Sequence, residues 1–133
     1  FQKAVELSPT TARYHRDLGE AQYEVKAWTA AEASLAKAVE YDPKEDTAWA
    51  GLGRARTQLK KYALAVEAYE KAADLRPKDA DIHMLLGAYY QEFMKDPEKA
   101  ISHYNKYLQL GGDAADVQEW IDEATAELER KKK

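Results

Sequence analysis

A 34-residue internal period governs this chain. Pro9, Pro43 and Pro77 stand 34 residues apart, and the pairs Leu18-Gly19, Leu52-Gly53 and Leu86-Gly87 keep the same interval. In that register Ala31 falls on Ala65, Leu35 on Tyr69, Ala38 on Ala72 and Tyr41 on Leu75. Self-similarity at this length marks a repeat architecture, in which each unit is one supersecondary element too small to bury its own apolar face.

The content of one period follows from spacing. Trp49, Leu52, Gly53 and Ala55 trace one stripe of a helix, and after a break near Lys60-Lys61, Tyr62, Ala65, Val66, Tyr69, Ala72 and Ala73 trace a second. Pro77 cannot continue that helix and disfavours helical geometry at Arg76. The glycine of each Leu-Gly pair and the alanines at 65 and 72 allow close helix approach. The pattern predicts helices over 12–25, 28–41, 46–59, 62–75, 80–94, 97–110 and 114–130 and no strand. The fold class expected is an all-α solenoid of antiparallel helix pairs.

Composition removes several functions. With 133 residues, 45% apolar and 33% charged, the chain is long enough for one core. A formal net charge of -4 argues against nucleic acid, whose phosphates need a basic face. No run of 18 apolar residues exists to span a membrane. There is no cysteine, hence no disulfide or thiol chemistry, and the compartment stays undetermined.

No metal is expected: His15 and His83 occupy the packing slot of Trp49, and His103 has no ligand set around it. Gly51-Leu52-Gly53 has Arg56 where a phosphate-binding loop needs its third glycine, so no cofactor is expected. No serine, histidine and acid fall into a nucleophile arrangement, so no catalytic residue is assigned. Glu119 and Glu123 read as i,i+4 neighbours on a solvated face, and the run Glu129 to Lys133 as a helix end whose cations suit the macrodipole.

Trp49-x-x-Leu52-Gly53, Ala65-x-x-x-Tyr69 and Pro77 resemble the tetratricopeptide (TPR) repeat, a 34-residue helix-turn-helix. The resemblance spans 1–133 as a single array and implies that the all-α solenoid is a right-handed superhelix of antiparallel helix pairs. Residues 1–11 resemble the second helix of a truncated repeat, 12–45, 46–79 and 80–113 whole repeats, and 114–130 a C-terminal capping helix. On this reading the chain is a fragment of a longer array. Four departures stand out. The Leu86-to-Ala100 interval is one residue longer than Leu52-to-Ala65. Tyr107 replaces a small residue, and Gly111-Gly112 replace the closing proline. The usual aromatic after the Leu-Gly glycine is Gln22 in one repeat and Arg56 in another.

The resemblance implies a protein–protein interaction or assembly scaffold, not an enzyme, that holds a peptide or protein in a concave groove lined by the first helix of each repeat. The residues so placed are Arg13, Arg16, Glu20, Tyr23 and Glu24, then Thr47, Ala50, Arg54, Thr57 and Gln58, then Asp81, Met84, Ala88, Gln91 and Glu92. The alternative is a solvated surface with Arg54 neutralised by Glu20 or Glu24. Some members grip the C-terminal carboxylate of heat-shock chaperones through five positions, here Arg16, Glu20, Gly51, Asp81 and Leu85. Only Arg16 suits a carboxylate, which argues against that role. Two other classes remain open: a substrate-recruiting arm of a larger enzyme, and an artificial array without a natural ligand. Lacking the first helix of their repeat, Phe1, Ala4 and Val5 would leave an apolar strip open, and self-association through the Phe1/Val5 face is expected, with fraying of the first turns as the alternative.

Overall fold

The computed structural model describes residues 9–132. Seven helices fill them: α1 (Pro9–Glu24), α2 (Trp28–Tyr41), α3 (Asp46–Gln58), α4 (Tyr62–Leu75), α5 (Ala80–Glu92), α6 (Pro97–Gln109) and α7 (Ala114–Lys131), with no strand among the described residues. The all-α helical-repeat fold expected from the period is present, and most helix ends fall within two residues of those expected. α1 differs: it starts at Pro9 rather than at 12, because proline is accepted in a first turn, where its missing N–H has no partner to lose. Of the expected partial repeat at 1–11, residues 1–8, with Phe1, Ala4 and Val5, lie outside the described residues, while 9–11 form the first turn of α1.

The chain divides into two compact units, one ending at Leu75 and the other beginning at Arg76. In the first, α1 pairs with α2 and α3 with α4, and α2 packs on α3. Its core joins Ala31, Leu35, Ala38 and Val39 to Ala48, Leu52, Ala55 and Ala68, with Tyr23, Ala36 and Trp49 against the edge. In the second unit α6 packs on both α5 and α7 around Leu86, Tyr90, Ala100, Tyr104, Tyr107 and Val117, all buried.

Each turn between paired helices passes through a lysine with positive φ. Lys26, Lys60 and Lys95 occupy the left-handed region, with φ of 66°, 62° and 53°. Beyond them the chain folds back by five residues in the first two hairpins, Ala27 N–H to Gln22 O at 2.9 Å and Lys61 N–H to Arg56 O at 2.8 Å. In the third, Asp96 N–H reaches Tyr90 O at 2.8 Å, six residues back. The extra residue between Leu86 and Ala100 is absorbed there. A lysine in this conformation places Cβ against the following carbonyl, which glycine avoids. Lys60→Gly is therefore expected to stabilise the chain by about 0.5–1 kcal/mol, against a loss of about 1 kcal/mol for Lys71→Gly inside α4. Thermal unfolding of the two variants checks both signs.

The departures from the repeat pattern have structural partners. Where Gln22 stands for an aromatic, the Ser34 hydroxyl donates to its amide oxygen at 2.7 Å. Where Arg56 stands, Glu32 pairs with it at 3.5 Å and its guanidinium donates to Leu64 O at 3.0 Å. Tyr90 keeps the aromatic and stacks on His103, ring centroids 5.5 Å apart at 7°. Tyr107 donates to Asp116 at 2.8 Å and accepts from Asp113 N–H at 3.2 Å, fastening the α6–α7 turn, with Gly112 against its ring. Gly111, at φ 98°, ends α6 where the earlier repeats use proline.

The histidines take packing positions. His15 stacks on Tyr41, centroids 5.3 Å apart at 9°. Trp49 donates its indole N–H to Pro43 O at 2.8 Å, and His83, one period later, sets Nε2 3.4 Å from Pro77 O. His83 and His103, both buried, bring their Nδ1 atoms to 3.1 Å, so one ring must donate and the other accept. A His83 protonated on Nε2 toward Pro77 O accepts from His103.

Candidate functional site

Two cavities open between first helices, one in each unit. In the first unit, Glu20, Tyr23 and Glu24 of α1 face Gly51 and Arg54 of α3 over Leu35 of α2, around about 290 Å³. In the second, Ala88, Gln91 and Glu92 of α5 and Lys95 of the turn after it face Trp120, Glu123, Ala126, Glu127 and Arg130 of α7 over Tyr104 of α6, around about 530 Å³. The two are equivalent in register. Glu20, Tyr23 and Glu24 match Ala88, Gln91 and Glu92, 68 residues on, and Leu35, Gly51 and Arg54 match Tyr104, Trp120 and Glu123, 69 residues on.

In the α1/α3 cavity the Arg54 guanidinium lies 5.8 Å from the Tyr23 ring centroid, and Gln58 donates to the Tyr23 hydroxyl at 3.4 Å. The Tyr23 ring meets Trp28 edge-on, centroids 4.8 Å apart, which fixes its direction. Among the described residues no ion pair joins Arg54 to Glu20 or Glu24, and Arg54 is exposed. Arg16 is committed elsewhere, to Glu45 at 3.2 Å and Asp17 at 3.1 Å. Thr47 bonds the adjacent Asp46, and Thr57 bonds Gly53 O at 2.9 Å. Arg13 is exposed and lines neither cavity, as do Asp81, exposed in the first turn of α5, and the half-buried Met84. Of the sequence-derived set, then, Glu20, Tyr23, Glu24, Arg54 and Gln58 come together.

In the α5/α7 cavity Gln91 is an internal clamp. Its amide oxygen accepts from the Tyr104 hydroxyl at 2.8 Å, and its NH2 donates to Trp120 O at 3.2 Å. Burial, then Glu92 and Glu123, push the Tyr104 phenol up to about 12. Both carboxylates therefore bear on one buried group from opposite helices. The Trp120 indole is 39% exposed, with its centroid 5.9 Å from that of Tyr104. Tyr104, Trp120 and Glu123 were missed from sequence because α7 read as a cap. Extending the register one further step, from Gly51 through Leu85 to Trp120, would have found them.

Known proteins agree with this architecture. The TPR repeat model matches residues 53–92. The first TPR of Spaghetti (RPAP3), solved with an HSP90 peptide, superposes with a TM-score of 0.77 at 18% identity, covering 93% of this chain and 98% of its own. The N-terminal domain of stress-induced protein-1 from C. elegans gives 0.75 at 23% identity over 88% and 96%. The Yersinia enterocolitica type III secretion chaperone SycD, in complex with a peptide of the translocator YopD, gives 0.70 at 19% identity over 92% and 93%. No curated protein matches by sequence. The chain is a short TPR-like helical array. Among the described residues no helix is long and apolar enough to cross a membrane, and no group of three or more metal-ligating side chains occurs.

Proposed function

We propose that this chain is a protein-interaction scaffold, a single array of repeats 12–45, 46–79 and 80–113 followed by the helix at 114–130, that holds a peptide segment of a partner on its first-helix surfaces and performs no catalysis. The observation that carries this is the α1/α3 cavity, where an exposed arginine lies beside the face of a fixed tyrosine, with two carboxylates at the rim. Tyrosine and arginine are the residue types that anchor interfaces, and a cation on an aromatic wall suits an acidic side chain with an apolar neighbour. That solved neighbours of this fold carry bound peptides supports the reading. The heat-shock chaperone peptide of one neighbour is not carried over. Of the five carboxylate-gripping positions only Arg16 is suitable, and Glu45 already holds it.

An acetylated and amidated Ala-Ala-Glu-Ala-Ala peptide titrated into ¹⁵N-labelled chain is expected to shift the Gly51 amide saturably. Arg54→Glu should weaken that binding about tenfold or more, the effect of losing one charge-assisted hydrogen bond and gaining a repulsion. Arg54 is exposed, so the melting temperature should stay within about 2 °C. Arg16→Glu is a poor test, because it sets a carboxylate against Glu45. An Arg54→Glu chain that binds the acidic peptide undiminished would remove this cavity as the site.

A further inference from the structure

The α5/α7 cavity differs in chemistry from its register partner. Arginine at 54 is replaced by Glu123, and glycine at 51 by Trp120. Its lining is rich in acceptors. The Tyr104 hydroxyl spends its proton on Gln91 and keeps a lone pair, while the Gln91 NH2 is engaged at Trp120 O. Glu92, Glu123 and Glu127 line the wall, and among the described residues no ion pair engages any of them. The two cations, Lys95 and Arg130, each lie three residues beyond a glutamate at the C-terminal ends of α5 and α7. Those ends favour positive charge, and among the described residues neither cation forms an ion pair with Glu92 or Glu123.

We propose that the α5/α7 cavity is a subsite for an arginine side chain of the partner peptide, its guanidinium lying against the exposed Trp120 indole and donating to Glu92 and Glu123; this rests on the peptide-holding reading above. The planar guanidinium fits on three counts. It supplies only donors, which an acceptor-rich wall requires. It stacks on an aromatic face, where indole is the best platform. It can reach carboxylates on both helices with its fork. An apolar side chain would desolvate Glu92 and Glu123 with nothing in return, and an acidic one would be repelled. The volume, about 530 Å³, is that of an ordinary ligand pocket.

The test compares acetylated, amidated Ala-Ala-Arg-Ala-Ala with the same peptide carrying citrulline, which keeps the shape and loses the charge. With ¹⁵N-labelled full chain, the arginine peptide is expected to move the Trp120 indole N–H resonance saturably and to bind at least tenfold more tightly than the citrulline peptide. Glu92→Gln with Glu123→Gln, both at exposed positions, should reduce it to the citrulline level while circular dichroism stays unchanged. Equal binding of the two peptides, arginine binding undiminished in the double variant, or a Trp120 shift with the glutamate peptide would each overturn the subsite. If the arginine peptide fails while the glutamate peptide still reports at Gly51, this inference falls alone. If neither registers anywhere, the peptide-holding reading falls with it.

Discussion

Leu52→Ala is expected to destabilise the chain by about 2–5 kcal/mol, the range for truncating a buried leucine whose site cannot collapse. Leu52 is 1% exposed and joins the α2 residues Leu35, Ala38 and Val39 to Ala48 and Ala55 of its own helix. Its neighbours include four fully buried alanines at 31, 38, 48 and 55, which have no side-chain length with which to fill the space. That places the expected cost in the upper half of the range. Urea unfolding should show the midpoint fall with the slope kept, against no change for Lys71→Ala on an exposed position of α4. A midpoint within error of the parent would mean that the core of the first unit is not built on this residue.

Gly87→Val should have a comparable effect by the opposite route. A Cβ built on Gly87 would stand 2.5 Å from Cε1 and 2.6 Å from Cδ1 of Tyr104. That ring is held in place, since it is fully buried and its hydroxyl is tied to Gln91, itself tied to Trp120, so any shift toward the α5/α7 cavity breaks this tether. Replacing a helical glycine by alanine contributes about 1 kcal/mol of propensity, but overpacking costs about 1–3 kcal/mol, so Gly87→Ala is neutral at best. Valine adds two methyl groups and forfeits most of the propensity, for an expected loss of about 3 kcal/mol or more. Gly51→Ala is the control. Its nearest neighbours are the flexible Leu35 methyls at 3.3 Å, so it should be neutral or slightly stabilising. If Gly87→Val melts with the parent, α5 and α6 are farther apart than a 2.5 Å approach to the Tyr104 ring requires.

The size of these two effects follows from features of unequal legibility. The period of 34, the helix pairs and the proline and glycine punctuation are local. Backbone chemistry acts within a few residues, so Pro43 and Pro77 ending helices could be read from the chain alone. The turn geometry was only half legible. The longer Leu86-to-Ala100 interval announced an extra residue, but lysine is no marker of a left-handed conformation. That Lys26, Lys60 and Lys95 adopt one follows from the helices that each turn has to join.

The candidate site shows the same division. Register placed Glu20, Tyr23 and Arg54 on first helices, because one helical face repeats every three or four residues. It did not say that Arg16 would be held by Glu45 at the N-terminus of α3, or that Gln91 would turn inward to clamp α7. Those outcomes depend on which partner lies within a few ångströms, and side-chain direction is chosen by neighbours distant in sequence.

The sequence by itself determined that this protein is an all-α array of paired helices with a repeating apolar seam, since a strict period with glycine and alanine at the contacts admits little else. Only the tertiary structure decided what each repeated position does. Leu52 and Leu86 are buried, yet Leu18 in the same Leu-Gly pair is 37% exposed. The columns holding Gly51 and Arg54 hold Trp120 and Glu123 one unit later, so the second cavity has a carboxylate where the first has a guanidinium. Burial and electrostatics are sums over all surrounding groups, and identical motifs acquire different roles when those surroundings differ.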